Sequence, residues 1–242
     1  MSIATPRIFQ TRRWPPASEA ALDTLGAVTR PDPDRPLTRA ELRAGLAGSD
    51  VFCPTVSDAI DAALLDGLDL GGKLIANYGA GTSHIDVAAA IAAGAAITNT
   101  PDAMTEATAD IALLLILAVA RRAGEGERQL RAGDWSGWRP MHMLGAAVSG
   151  KTLGLIGFGR IARALAQRCH HGLGMEILVH NRGPVSPEAL AQVGARQAAS
   201  VEDVLARADF VSLHIPGGAE TRHLIDARRL ALMRPTAFLI NT

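Results

Sequence analysis

The segment KTLGLIGFGRIA, residues 151–162, decides the fold of this chain. Its apolar first part, residues 151–157, predicts a buried strand, and residues 160–169 predict a helix that follows it. A further strand is predicted at residues 176–180, so the three elements form a β-α-β unit about 30 residues long. Short strands that alternate with helices are typical of a parallel α/β sheet.

The small residues of this segment suggest its chemistry. Gly157, Gly159 and Ala162 match the pattern Gly-x-Gly-x-x-Gly/Ala. The first glycine permits a tight turn from strand to helix, the second lets the backbone approach a pyrophosphate, and the small third residue allows the helix to pack closely on the strand. The helix N-terminus then presents N–H groups to the anion. The pattern predicts dinucleotide binding, although a glycine turn that serves only packing would have the same letters.

The end of the second predicted strand bears on which dinucleotide is bound. Proteins that bind NAD usually carry a carboxylate here, which accepts a hydrogen bond from the ribose 2′-hydroxyl. This chain has His180, Asn181 and Arg182 instead. A 2′-phosphate would meet no repelling carboxylate and could be held by the guanidinium of Arg182, which favours NADP and leaves NAD possible. The alternative is that Arg182 is a solvated loop residue.

The composition excludes several classes of protein. The 242 residues carry 24 Lys and Arg against 24 Asp and Glu, and this zero net charge argues against a nucleic-acid or anionic-membrane partner. With 48% hydrophobic and 20% charged residues, the chain is not predicted to be disordered. Its most apolar run, residues 111–120, is much shorter than the roughly 20 residues of a membrane span. The distant Cys53 and Cys169 predict reduced structural thiols and a cytoplasmic protein.

Further elements are predicted from periodicity and from signals at helix ends. A long helix should run from near Asp102 to about Arg122, and residues 124–140, which bear glycine and tryptophan, should form an irregular boundary region. Ser18 and Thr38 are the predicted caps of two shorter helices. Strands are predicted at residues 7–10, 51–53, 74–77, 96–99, 209–214 and 237–240, and helices at residues 18–25, 38–46, 85–93 and 200–206.

Several short motifs in a fixed order carry a resemblance to a known family. Together they resemble the D-isomer-specific 2-hydroxyacid dehydrogenases, most closely the glyoxylate/hydroxypyruvate reductase branch, over nearly the whole chain. A series of motifs in the right order is far more specific than one glycine pattern. They are NYGAG at 77–81 with ID at 85–86, NTP at 99–101, TEATAD at 105–110, GKTLG at 150–154, SLHIP at 212–216, ETRHLI at 220–225 and FLINT at 238–242.

The resemblance implies an α/β fold with two Rossmann-like domains, whose parallel, doubly wound sheets are both incomplete at the C-terminal end. Residues 1–102 would form a flavodoxin-like substrate domain, and residues 103–242 would form the NAD(P)-binding Rossmann domain. The implied reaction reduces a small 2-keto acid, of the glyoxylate or hydroxypyruvate type, to the D-2-hydroxy acid. NADP is the expected cofactor, with NAD possible, and the active site is expected between the domains.

The resemblance also implies roles for individual residues. The backbone N–H groups of Ala80 and Gly81 would hold the substrate carboxylate, although a plain turn after a strand would look the same. His214 and Pro216 would line the adenine side of the cofactor, although a lone histidine there is more often structural. The other cofactor-binding residues that we expect are Thr108, Gly157, Gly159, Arg160, Ile161, Asn181, Arg182, Thr221 and Thr242.

The catalytic groups of the family have no predicted counterparts among residues 1–242. The resemblance implies an arginine, a glutamate and a histidine that would all follow Thr242, so no catalytic residue is predicted within the chain, and the chain alone is expected to be inactive. His84 is better interpreted as a helix-start residue. Glu106 and Asp110 share a helix face, but nothing in the sequence makes them a general acid and base.

Two alternative functions follow from the same motifs. A catalytically inactive module that binds a dinucleotide or a partner would also need the glycine turn. A Rossmann-like methyltransferase would place glycines after a first strand too, but it would leave the motifs at 77–81 and 240–242 unexplained.

The resemblance also predicts the oligomeric state of the complete protein. The long apolar helix and the segment from Trp135 to Trp138 resemble the family's dimer surface, which predicts a homodimer of the complete protein, although core burial explains the helix equally well. Residues 170–174 carry an apparent extra residue relative to the family, which bears on the register of the strand that follows.

Overall fold

The computed structural model describes residues 5–242, except for the side chain of Ala219. The chain forms two compact units, one that ends at Met104 and one that spans Thr105–Thr242. Each unit is built around a five-stranded sheet in which all strand pairs are parallel. The predicted α/β class with two Rossmann-like sheets is therefore confirmed. The sequence-based domain boundary, after residue 102, lies close to the observed division.

The first unit alternates strands and helices along the chain. Its elements are β1 (Arg7–Gln10), α1 (Pro16–Asp23), β2 (Ala27–Thr29), α2 (Arg39–Gly48), β3 (Val51–Cys53), α3 (Ala62–Leu65), β4 (Leu74–Ala76), α4 (Val87–Ala92) and β5 (Ala96–Thr98). The strand order is β2-β1-β3-β4-β5, and the fully buried Leu46, Phe52 and Ile75 lie in its core. The sequence analysis missed β2 and α3, which are short.

The helix starts of this unit test the predicted caps. Thr38 caps α2 in a capping box: its hydroxyl accepts from the N–H of Glu41 at 3.3 Å, and the Glu41 carboxylate accepts from the N–H of Thr38 at 2.8 Å. The predicted cap at Ser18 is wrong, because α1 begins at Pro16 with Pro15 in the cap position. Proline suits the first helical position, since its missing N–H would have no partner there.

The second unit contains the glycine motif. Its elements are α5 (Thr105–Ala120), α6 (Ala123–Ala132), β6 (Thr152–Ile156), α7 (Arg160–Gln167), β7 (Glu176–His180), α8 (Pro187–Ala191), β8 (Ala195–Gln197), α9 (Val201–Arg207), β9 (Phe210–Leu213), α10 (Ala227–Leu230) and β10 (Phe238–Asn241). The strand order is β10-β9-β6-β7-β8, which makes β6 the central strand. The buried face of α5, with Ala112 and Ile116, packs into the same core as Leu155 of β6 and Leu165 of α7.

The region after α5 differs from the prediction. The predicted helix of residues 102–122 is shorter at both ends, and the segment interpreted as irregular begins with α6. Arg122 ends the first helix because its φ of 54° is left-handed. An ion pair between Arg131 and Glu127 at 2.6 Å supports α6, and Gly133 ends it with a φ of 77°. The glycines at 124 and 126 disfavour helix, but the charged residues around them restore it.

A π-helical turn, Arg168–Gly172, extends α7. Such turns accommodate one additional residue in a helix, and this turn overlaps the segment in which the sequence shows an apparent extra residue. The strand that follows keeps its register, since β7 pairs with β6 from Thr152 opposite Glu176 to Ile156 opposite His180. The additional residue is therefore absorbed before the strand begins.

Candidate dinucleotide site and substrate loop

The turn from β6 into α7 requires glycine at its first position. Gly157 has a φ of +91°, which side chains disfavour, and a Cβ there would lie 2.3 Å from the carbonyl oxygen of His214. The N–H of Gly157 donates to the carbonyl of His180 at 2.8 Å. The turn is thus held between the ends of β7 and β9, and no larger residue fits without movement of the backbone.

The N-terminus of α7 faces open space. Gly159 occupies the cap position, no side chain caps the helix there, and a Cβ on Gly159 would meet no atom within 4 Å. A phosphate can approach such a backbone closely and meet the positive end of the helix dipole. This arrangement fits the pyrophosphate of a dinucleotide.

A cleft of about 710 Å³ opens beside this turn, at the carboxyl ends of the strands. Ligands bind at this edge in open α/β sheets. Several residues that line the cleft were not predicted from the sequence, among them Val201, Leu224 and Glu220. They come from loops and helices that are distant in the chain. The predicted residues that the cleft brings together are Gly157, Gly159, Asn181, Arg182, His214, Pro216 and Thr221.

The remaining predicted cofactor residues do not line this cleft. Arg160 is the exposed first residue of α7, and Ile161 is half-buried and packs against the core. Thr108 is half-buried on α5, and Thr242 is exposed beyond the end of β10. Any role of these four residues toward the cofactor stays a prediction.

Asn181 supports the glycine turn. Its side-chain oxygen accepts from the N–H of Phe158 at 3.3 Å, and its amide nitrogen donates to the carbonyl of Gly183 at 3.2 Å. The side chain thereby ties the loop after β7 to the turn after β6. Both of these hydrogen bonds join the side chain of Asn181 to backbone groups of the site.

Arg182 has a partner that the sequence did not reveal. Its guanidinium lies 2.9 Å from the carboxylate of Glu220, and both side chains are more than four-fifths exposed, at 91% and 82%. Exposed pairs of this kind are weak. The arginine is therefore easily released to another anion, although a carboxylate stands beside it.

His214, which lines the cleft, is fixed in place by its surroundings. Its Nε2 lies 2.8 Å from the hydroxyl of Ser212, and its N–H donates to the carbonyl of Ile156 at 2.8 Å. Burial lowers the pKa of His214 to about 4, so its imidazole is neutral near pH 7. The loop that follows is fixed by the hydroxyl of Thr221, which donates to the carbonyl of Pro216 at 2.8 Å.

The predicted substrate loop lies in the first unit, directly after β4. Ala80 is half-buried and Gly81 is exposed. The side chain of the buried Asn77 donates to the carbonyls of Gly79 and Gly81 at 3.0 and 2.9 Å. The loop is therefore ordered by hydrogen bonds from a side chain beneath it.

Other kinds of site find no support in the described part of the chain. Among residues 5–242, no group of His, Cys, Asp and Glu side chains could hold a metal ion. Within the same residues, no helix is both long and apolar enough to cross a membrane. Cys53 and Cys169 are buried free thiols, and burial raises their pKa values to about 11 and about 12. Both are therefore unreactive as thiolates near neutral pH.

The fold, the glycine turn and the adjacent cleft define an α/β protein with a site for a dinucleotide. The family model described as the NAD binding domain of D-isomer specific 2-hydroxyacid dehydrogenases matches residues 113–242. The chain belongs to this family, and its dinucleotide is a nicotinamide cofactor.

Individual relatives agree with this assignment. The chain is 40% identical to the glyoxylate reductase of Thermococcus litoralis over 242 residues, which cover 98% of this chain and 72% of that protein. The solved structure of a glyoxylate reductase from Paecilomyes thermophila is 30% identical, with a TM-score of 0.82 over 99% of this chain and 74% of that chain. The D-mandelate dehydrogenase of Rhodotorula graminis is 27% identical, with a TM-score of 0.83 over 98% of this chain and 73% of that chain.

Proposed function

We propose that this protein reduces a small 2-keto acid of the glyoxylate or hydroxypyruvate type to the D-2-hydroxy acid, with NADPH as the preferred cofactor. The observation that carries the proposal is the turn from β6 into α7, where Gly157 packs against His214 and Gly159 leaves the backbone open to a pyrophosphate beside a cleft of about 710 Å³. The glyoxylate reductase of Thermococcus litoralis, 40% identical, supports the substrate class. When bound, the cofactor supplies the hydride.

The chain's own residues would hold the cofactor in three places. The turn at Gly157 and Gly159 would receive the pyrophosphate, and His214 and Pro216 would line the adenine side. Arg182 would hold a 2′-phosphate, since it lies in the cleft without a carboxylate at the end of β7. Glu220 opposes this preference, because it already pairs with Arg182 and would repel a phosphate. The preference for NADP therefore depends on which partner the arginine takes.

The substrate carboxylate would be bound by the amides of Ala80 and Gly81. Backbone N–H groups suit a carboxylate because they donate without a competing charge. We assign no proton donor among the described residues, since His84 and His214 are both engaged in hydrogen bonds inside their own units.

We also propose a homodimer and a cytoplasmic location. On α5, Ile111 and Leu114 are half-exposed, and Trp138 and Met141 further along are about four-fifths exposed. Exposed apolar side chains of this size favour an interaction surface where they lie together. A second copy of this chain is the proposed occupant, and light scattering that shows a monomer at every concentration would remove it. The two free thiols agree with a reducing compartment.

The experiment that tests the function is a paired titration of the purified chain with NADPH and with NADH, followed by cofactor fluorescence. We expect saturable binding of both and a lower Kd for NADPH. Glyoxylate-dependent oxidation of NADPH, assayed on the protein as its natural source makes it, then tests the reaction. Saturable binding without any turnover of glyoxylate or hydroxypyruvate would favour the inactive binding module instead.

A further inference from the structure

Asn77 orients two peptide groups of the substrate loop. Its side chain is only 3% exposed, and its Nδ2 donates to the carbonyls of Gly79 at 3.0 Å and Gly81 at 2.9 Å. Both carbonyl oxygens therefore point toward the buried side-chain amide of Asn77. A single buried amide holds the two ends of the loop.

The carbonyl between them is held from a neighbouring segment. Asn99 Nδ2 donates to the carbonyl of Ala80 at 2.8 Å, and the N–H of Thr100 donates to the carbonyl of Gly79 at 3.0 Å. All three successive carbonyls of residues 79–81 thus accept hydrogen bonds from the fold.

Fixed carbonyls determine where the next N–H groups point. In a trans peptide the N–H of each residue is directed opposite to the carbonyl of the residue before it. The N–H groups of Ala80, Gly81 and Thr82 are therefore directed away from the amides that hold the loop. Within residues 5–242, no hydrogen bond uses any of these three N–H groups. They form a short row of available donors, as in anion-binding backbone nests.

The orientation of Asn77 is itself fixed by His84. Backbone carbonyls only accept hydrogen bonds, so the side-chain nitrogen of Asn77 must face the carbonyls of Gly79 and Gly81. The side-chain oxygen of Asn77 then faces Nε2 of His84 at 2.9 Å. The Nε2 of His84 must consequently carry a proton. Burial lowers the pKa of His84, against an opposing pull from Asp58, and this favours the neutral ring.

The helix after the loop offers no competing anion site. The side chain of Asp86 caps α4 and accepts from the N–H of Ala89 at 2.9 Å, and the helix has only six residues. An anion at the loop would therefore meet the loop amides and not a free helix N-terminus.

We propose that Asn77, supported by His84, is a positioning residue that aligns the amides of Ala80 and Thr82, on either side of the Gly81 amide that Asn99 aligns, to bind the carboxylate of a small 2-oxo acid. This rests on the proposed function and deepens it, since Thr82 becomes a third donor and two side chains that do not touch the substrate become determinants of its affinity.

The test uses the whole 242-residue chain and oxalate as the probe, with amide NMR shifts as the readout. In the unaltered protein the amides of Ala80, Gly81 and Thr82 should shift together and saturate. Asn77→Ser removes the two hydrogen bonds that Asn77 donates to the loop carbonyls and should weaken oxalate binding roughly tenfold. His84→Leu should weaken it by a smaller factor, whereas His84→Gln, which keeps a donor near the same position, should restore it.

Ser57→Ala is the matched control, because it removes an exposed hydroxyl in the same unit that bonds only Thr55 at 3.1 Å. Its oxalate affinity should equal that of the unaltered protein. If Asn77→Ser does not fold, the contrast between His84→Leu and His84→Gln decides.

The outcomes separate this inference from the proposed function. If oxalate shifts the loop amides equally well in Asn77→Ser and His84→Leu, the positioning role is overturned while the loop remains the carboxylate site. If oxalate leaves those amides unshifted in the unaltered protein, the row of donors is overturned as well. The NADPH titration above is independent of both results and tests the oxidoreductase assignment by itself.

Discussion

The two turns that follow β4 and β6 both expose backbone amides, but different contacts hold them in place. Each leaves the carboxyl end of a parallel strand and exposes backbone amides. The turn at Gly157 is set by a left-handed φ of +91° and by the carbonyl of His214 against its Cα. The loop at residues 79–81 has no left-handed glycine and is held by the side chains of Asn77 and Asn99.

The helices that follow the two turns also differ at their N-termini. No side chain caps α7, so its N-terminus remains available to an anion, whereas Asp86 caps α4. The second unit therefore offers a helix dipole through a glycine turn, and the first offers only loop amides. The dinucleotide site should depend on the space around its backbone, and the carboxylate site should depend on the side-chain amides of the buried Asn77 and the exposed Asn99.

The largest effect should come from Gly157→Ala. The new Cβ would lie 2.3 Å from a backbone oxygen in a strained conformation, so we expect the free energy of unfolding to fall by about 3 kcal/mol or more, with loss of NADPH binding. Urea unfolding followed by circular dichroism measures this. Gly81→Ala is the control, since a Cβ there meets no atom within 4 Å and should change stability little. Equal effects of the two substitutions would erase the contrast between the turns.

A pH effect on stability should arise from His214 in the second unit. The pKa of His214 is lowered from 6.5 to about 4 in the folded protein, so between these values the unfolded chain binds a proton that the folded chain does not. Its contribution to stability is complete above pH 6.5 and is lost as the pH falls toward 4, on the order of 2 kcal/mol after allowance for partial exposure.

Urea unfolding at several pH values checks this effect. His214→Asn should remove that part of the pH dependence, whereas His223→Asn, at an exposed position, should keep it. An unchanged pH profile in His214→Asn would show that burial of this imidazole does not control it.

Arg182→Ala should change cofactor choice more than stability. Loss of the guanidinium should weaken NADPH by roughly tenfold or more and leave NADH nearly unchanged, because only NADPH carries the 2′-phosphate. Titration by fluorescence measures both Kd values. Arg196→Ala is the control, since Arg196 forms a similar exposed pair with Glu176 at 2.9 Å outside the cleft. A parallel loss of NADH and NADPH affinity would assign Arg182 to the common part of the cofactor.

The smallest effect should come from Glu220→Gln. Removing this carboxylate frees Arg182 and removes repulsion, so NADPH should bind about two- to threefold more tightly, a change limited by the exposure of the pair. The same titration measures it. Weaker NADPH binding in Glu220→Gln would mean that the carboxylate orients the arginine and does not compete for it.

The parts of the structure that local sequence determines were predicted well. The strands at 7–10, 51–53 and 176–180 are observed with the same bounds, because apolar runs and turn residues are local signals. The glycine turn follows from the steric freedom of Gly157 alone. Missed elements such as β2 and α3 have three and four residues, too few for periodicity to show.

Long-range pairing could not be predicted. Glu220 lies 38 residues from Arg182, and only the folded sheet brings their loops together at the cleft. Asn77 and Asn99 are far apart in sequence too. Both donate to carbonyls of residues 79–81 because β4 and β5 are adjacent in the sheet. The sequence identified the loop and the arginine but not the side chains that control them.

The most direct test of the account is an amide NMR titration of this chain with NADPH. We predict saturable shifts at Gly159, Arg160 and Ile161, at the N-terminus of α7, together with Arg182 and His214. Saturable binding that shifts other amides and leaves the α7 N-terminus unchanged, or no binding at all, would contradict it.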